Sequence, residues 1–271
     1  MMTHTEDEDE YDFKTRTLSE RHFLLGEYHK AEDILTKSIS RRKSSWLQDY
    51  FLLSRIYWQV CNFNKLKPTI RELLNIDSEN YSVLSQAYAF LGASCVFTGE
   101  KEKVSDYLKQ SEYYAYRIKN DFDLIDSLRT LGKVLLIIKN PLKAEKIARQ
   151  GITIGLRHSS CFPTFDLLVL LIELYINGGH TQEALYFLHE ADFYLELNHL
   201  LPSKELILYY YYKYKLEPGL TDTEKKDLYL VHSFQLLEKE KKQIRDPELV
   251  KNFLALRSFT RIETEMERLA L

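Results

Sequence analysis

Histidines, cysteines and closely spaced carboxylates are the side chains best able to hold a metal, attack a carbonyl or move a proton. This chain has eight histidines and three cysteines. His22 and His29 lie seven residues apart, and neither has a carboxylate or cysteine at metal-ligand spacing. His180 and His189 flank a predicted helix and read as solvated. Cys61, Cys95 and Cys161 form an odd, widely spaced set without a CxxC pair, as expected of reduced thiols. Glu238 with Glu240, and Glu263 with Glu265, fit charged helix surfaces better than an acid–base pair. The phosphate-loop, dinucleotide, zinc-protease and nucleophile-elbow patterns (GxxxxGKS/T, GxGxxG, HExxH, GxSxG) do not occur. Asn80-Tyr81-Ser82 matches a glycosylation acceptor, a tripeptide common by chance. No enzymatic role, cofactor or metal is expected, which leaves recognition.

Composition constrains the elements that would present a recognition surface. Of 271 residues, 45% are hydrophobic and 28% charged, a soluble and well-folded balance. Only 9 glycines and 6 prolines favour long helices with short connections over a turn-rich β fold. Nineteen tyrosines suit helix layers in which a ring packs inward and its hydroxyl reaches water. The net charge of −3 offers no general attraction for nucleic acid or anionic membrane. The run Lys239-Glu240-Lys241-Lys242 is interrupted by acid and makes a poor nucleic-acid patch. Neither an apolar signal core near Met1 nor a run of about 18 apolar residues occurs, so a cytoplasmic location is expected.

Self-similarity organises the rest. Five segments share an apolar helix, a tight break and an amphipathic helix: the breaks begin at Gly26, Cys61, Gly99, Lys139 and Gly179. Equivalent positions on the second helices are Ala31, Leu66, Val104, Ala144 and Ala184, spaced by 35, 38, 40 and 40 residues. Leu91-Gly92 and Leu131-Gly132 mark first helices, with looser matches at Leu53-Ser54 and Tyr57 and at Tyr175. Gly26, Tyr28, Ala31, Leu35 and Ser38, then Gly179, Ala184, Leu188 and Ala191, mark second helices. Small residues at these places let paired helices approach closely.

Over roughly residues 12 to 200 this pattern resembles the tetratricopeptide repeat, with a period longer than the family's usual 34. The extra residues fall where second helices would extend, as at Tyr107 to Lys119. Such lengthened repeats resemble those of bacterial signalling regulators and peptide-responsive sensors. The resemblance implies an all-α, right-handed α-α superhelix of five to six helix pairs plus a C-terminal capping helix. It also implies that first helices line a concave groove, presenting Arg16, Phe51, Ala89, Arg129, Val169 and Tyr209, then Glu20, Arg55, Ala93, Lys133, Glu173 and Lys213. Arg16, Arg55, Arg129 and Lys133 would make the groove basic. Ala89 and Ala93 would leave room between Phe51, Trp58 and Phe97. The expected partner is a protein or peptide with acidic groups and an apolar anchor. The asparagines of the family's carboxylate clamp are absent.

Three segments are expected: an acidic disordered tail (1–10), the repeat domain (11–245) and a C-terminal capping or docking helix (246–271). Glu6 to Glu10 could fold over the basic groove and compete with ligand. In the last segment Leu249, Phe253, Leu256, Ile262, Met266 and Leu269 share a side, suited to capping or to homo-oligomer contact. The leading function is a scaffold or adaptor; the alternatives are a peptide-responsive sensor and the repeat segment of a larger signalling ATPase or cyclase.

Overall fold

The computed structural model describes residues 3–41, 47–76, 79–158, 161–197, 204–216, 223–256 and 259–269, and among them no strand occurs. Helices follow in pairs: α1 (Thr3–Leu24) with α2 (Tyr28–Arg41), α3 (Leu47–Gln59) with α4 (Phe63–Leu74), and α5 (Tyr81–Phe97) with α6 (Val104–Ala115). Then come α7 (Asp121–Ile137) with α8 (Pro141–His158), α9 (Cys161–Asn177) with α10 (Thr181–Leu197), and α11 (Lys204–Leu216) with α12 (Thr223–Ile244). Two shorter helices follow, α13 (Pro247–Leu256) and α14 (Phe259–Leu269). The chain is an α-α solenoid.

The five breaks seen in the sequence are five copies of one helix stop. Gly26, Cys61, Gly99, Lys139 and Gly179 have φ of 76°, 58°, 82°, 60° and 78°. This left-handed residue lets the next amide reach back to a carbonyl five residues earlier, as Glu27 does to His22 and Asn140 to Leu135, each at 2.9 Å. Glycine adopts the turn without steric conflict, whereas Cys61 and Lys139 each bear roughly 1–2 kcal/mol of strain. Asn62 and Asn140 then cap the following helices, their side-chain oxygens accepting from the Lys65 and Lys143 amides at 3.1 and 3.3 Å. The break of the sixth pair, with Pro218-Gly219 and the expected Thr221-Asp222 cap, lies outside the described residues. Asp246 caps α13 as its sequence suggests, accepting from the Glu248 amide at 2.9 Å ahead of Pro247.

Small residues set the closest approaches. Gly151 and Gly155 of α8 face α9: a Cβ on Gly151 would come within 2.5 Å of Leu167, and one on Gly155 would overlap Thr164. Ala31, Ala144 and Ala184 are fully buried. The long period has a broader origin than lengthened second helices. α6 stops at Ala115, while α5, α7 and α9 each have 17 residues against 13 in α3.

The two ends of the solenoid meet. The Tyr28 hydroxyl on α2 donates to Glu240 Oε2 on α12 at 3.2 Å, and both residues are buried. Lys204 Nζ at the start of α11 donates to the Gln59 carbonyl at the end of α3. Gln243 lies 3.7 Å from the position a Cβ on Gly26 would take. At the N-terminus, the backbone of acidic residues 6–10, read from sequence as a tail, forms the first turns of α1. At the C-terminus, the single helix expected is two. α14 lies along α12, with Lys241 paired to Glu263 at 2.7 Å, and Phe253 stacks on Phe259 at 4.6 Å. Phe253, Phe259 and Ile262 are buried within the chain.

Candidate functional site

The curl surrounds a half-open cavity of about 610 Å³. Five first helices form its wall: α3 gives Arg55, Trp58 and Gln59, α5 gives Gln86 and Phe90, and α7 gives Arg129, Thr130 and Lys133. Phe162 and Asp166 come from α9 and Lys204 and Glu205 from α11. Phe23, Tyr28, Lys239, Glu240, Phe253 and Phe259, from both ends of the chain, close it.

The lining position differs among the first helices. It is the C-terminal part of α3, the middle of α5, the middle and end of α7, the first two turns of α9 and the first turn of α11. Successive helices of a superhelix are displaced along their axes, so a fixed repeat position cannot track the cavity. Of the residues proposed from repeat position or from the aromatic flank, Arg55, Trp58, Arg129 and Lys133 line the cavity. The others do not, for identifiable reasons. Ala89 and Ala93 are wholly buried between helices. Tyr209 is buried against Phe165, its hydroxyl donating to Asp192, and Lys213 pairs with the same carboxylate at 2.8 Å. Glu173 is buried. Phe97 is exposed and stacks on Phe63 at 4.1 Å, away from the lining. Arg16 pairs with buried Asp49 at 3.0 Å, and Phe51 sits beneath Arg55 at 5.9 Å.

The cations of the wall fall into two groups. Arg129 and Lys133 are paired inside the protein. Arg129 contacts Asp126 and donates to Asp166 Oδ2 at 2.9 Å. Lys133 reaches the same Asp166 oxygen at 2.6 Å and Glu205 at 2.9 Å. Gln86 extends the network, donating to Asp126 at 3.1 Å and accepting from the Thr130 hydroxyl at 3.2 Å. Burial disfavours the Arg129 charge, but Asp126 and Asp166 outweigh it and raise its pKa. Burial would likewise raise Asp126, yet Arg129, Arg55 and the hydrogen bonds hold it below the usual carboxylate range. Asp166 Oδ1 and Arg129 Nε remain buried without hydrogen-bond partners.

Arg55 and Lys204 differ. Neither has an ion-pair partner within 4.0 Å among the described residues. Arg55 lies over the Phe23 ring at 5.0 Å, and Lys204 lies over Phe253 at 4.7 Å. Burial pushes the pKa of each below its ordinary value. Trp58 packs against Phe90 at 5.0 Å, and Phe162 lies under Arg129 at 5.2 Å. The wall thus combines aromatic surface, a neutralised polar network and two half-buried cations without an ion-pair partner within 4.0 Å among the described residues.

Gln86, Asp166, Lys204 and Glu205 were not found from sequence. Asp166 had a readable signal, as one aspartate deep in the apolar stretch Phe165 to Ile172. Gln86 is similarly isolated on α5. A buried polar group in such a helix requires a partner across the wall.

A concave face built from first helices, stacked in pairs with left-handed breaks, is the architecture of the tetratricopeptide-repeat proteins, and the chain has their fold. Compared by sequence, it matches no protein-family model and no curated relative. Among solved structures it is similar to a Rap protein complexed with Competence and Sporulation Factor, at TM-score 0.64 and 12% identity, over 94% of this chain and 75% of that one. It is also similar to TTC0263, a thermophilic TPR protein of Thermus thermophilus, at TM-score 0.53 and 21% identity over 73% and 95%. BtubC from P. vanneervenii follows at TM-score 0.54 and 12% identity, over 86% and 91%. Among the described residues no helix is long and apolar enough to cross a membrane.

Proposed function

We propose that the chain is a non-catalytic receptor for a short peptide segment, held in the cavity at the centre of the solenoid. The cavity volume of about 610 Å³ carries this reading. It falls within the roughly 300–1,000 Å³ of small-ligand pockets, suits a few residues of extended chain and is too small for a folded domain. Aromatic side chains offer an apolar anchor, and unmatched polar groups offer orientation. The Rap protein of similar fold, complexed with Competence and Sporulation Factor, supports ligand binding by such a solenoid. Direct contact between the first and sixth helix pairs favours the ligand-responsive form over an open adaptor, because an occupant bears on both ends at once.

Affinity selection of a random hexapeptide library by the full chain, read by mass spectrometry, tests the proposal. Captured peptides should be displaced from the cavity variant Phe90→Trp, which fills the space beside Trp58. A chain that retains no peptide, or one whose capture Phe90→Trp leaves unchanged, would refute it.

A further inference from the structure

Building on the peptide reading, we infer that the ligand is acidic, with carboxylates received by Arg55 and Lys204 rather than by Arg129 and Lys133. The lining holds five cations (Arg55, Arg129, Lys133, Lys204, Lys239) and three carboxylates (Asp166, Glu205, Glu240), and Asp126 behind the lining pairs with Arg129, which leaves an excess of one positive charge on a chain of net charge −3. Arg129 and Lys133 already have Asp126, Asp166 and Glu205 within 4.0 Å, so a ligand carboxylate would have to displace a buried partner. Asp126 and, less strongly, Glu20 favour the Arg55 charge, but neither pairs with it within 4.0 Å, and Asp126 is engaged by Arg129 and Gln86. Among the described residues Lys204 donates to the Gln59 carbonyl and lies over the Phe253 ring, and Glu240 and Glu205 favour its charge without pairing with it within 4.0 Å.

Arg55 and Lys204 are half-buried, and withdrawing a cation even partly from water without an adjacent anion is costly. The two face one cavity from different walls, α3 and α11. An acidic ligand supplies the missing charge at both, and the arginine fork accepts a carboxylate through two parallel hydrogen bonds. Lys239, exposed on the lining, extends the positive field outward and draws the ligand in. An apolar side chain then fits among Trp58, Phe90 and Phe162. Burial lowers the pKa of Lys204 even though Cys61, Glu240 and Glu205 favour its charge.

The test uses the full chain and the same hexapeptide library. Captured sequences should be enriched in aspartate and glutamate, and resynthesis with glutamine or asparagine at the acidic positions should weaken binding at least tenfold. Arg55→Met and Lys204→Met should each remove that distinction while remaining fully helical by circular dichroism. Arg55→Lys should restore part of it. Neutral analogues that bind as well as the acidic peptides would overturn the inference while leaving the peptide reading intact. So would an acidic preference lost in Arg129→Met and kept in Arg55→Met and Lys204→Met. Failure of the wild-type chain to capture any peptide would instead overturn both.

Discussion

Replacing Asp166 with asparagine separates the paired cations of the cavity wall from the unpaired ones. The side chain is almost fully buried, and one of its oxygens accepts from Arg129 at 2.9 Å and from Lys133 at 2.6 Å. Asparagine keeps the shape and one acceptor but removes the charge. Breaking a buried ion pair from one side costs about 3–5 kcal/mol. Here Arg129 retains Asp126 and Lys133 retains Glu205, which places the expected loss near the lower end, about 3 kcal/mol. Urea denaturation followed by circular dichroism should show a midpoint roughly 1 M lower, because a chain of this size has a steep denaturant slope. In the double variant Asp166→Asn, Lys133→Met the loss should be less than additive by at least about 1 kcal/mol, since the two side chains touch. A loss below about 1 kcal/mol with additive behaviour would mean that Arg129 and Lys133 are effectively solvated. They would then return as candidates for receiving a ligand anion.

Gly155→Ala should destabilise the fold by about 1–2 kcal/mol in thermal or chemical denaturation, because overlap with buried Thr164 outweighs the roughly 1 kcal/mol that alanine adds to helix propensity. Lys139→Gly should stabilise it by about 0.5–1 kcal/mol, relieving a left-handed residue at an exposed break; a lower melting temperature would refute the strain assigned there. Asp126 has its pKa depressed from the ordinary 3.8, so its contribution to stability is present above that pH and is lost as pH falls through its lower folded value. Asp126→Asn should therefore flatten the acid limb of the stability–pH profile, measured by denaturant midpoints on both sides of that value.

The helix order and the five stops were legible because each rests on local chemistry. Gly26, Gly99 and Gly179 announce a left-handed residue, and even Cys61 and Lys139 are identified by the asparagine cap that follows. The long period was visible too, although not its distribution over first and second helices. The cavity was legible only in its centre. Arg55, Arg129 and Lys133 were placed there because their helices lie where the repeat pattern puts them. Ala89, Tyr209 and Lys213 do not line it, because the lining shifts from the C-terminal part of α3 to the first turn of α11, a change fixed by packing between pairs. The partners of Arg129 and Lys133 could not be read, since Asp166 and Glu205 are separated from Lys133 by 33 and 72 residues and meet it only through the stacking of α7, α9 and α11. Arg55 and Lys204 stand out only once those pairings are known.

The hydrogen bond from Tyr28 to Glu240 joins residues 212 apart in a fold whose other links are mostly between neighbours. An open repeat array frays from its free ends and unfolds in steps, because each unit answers only to the units beside it. Contact between the first and sixth pairs restrains that fraying. The intervening pairs have already brought α2 and α12 together, so the closing contact adds little further chain ordering while tying the first unit's fate to the last. Amide hydrogens at both ends of this chain should therefore exchange with similar protection, and Tyr28→Phe should loosen the two ends together. The same contact bounds the cavity, so Tyr28→Phe should also shorten the residence of a peptide held there, read as a faster dissociation rate.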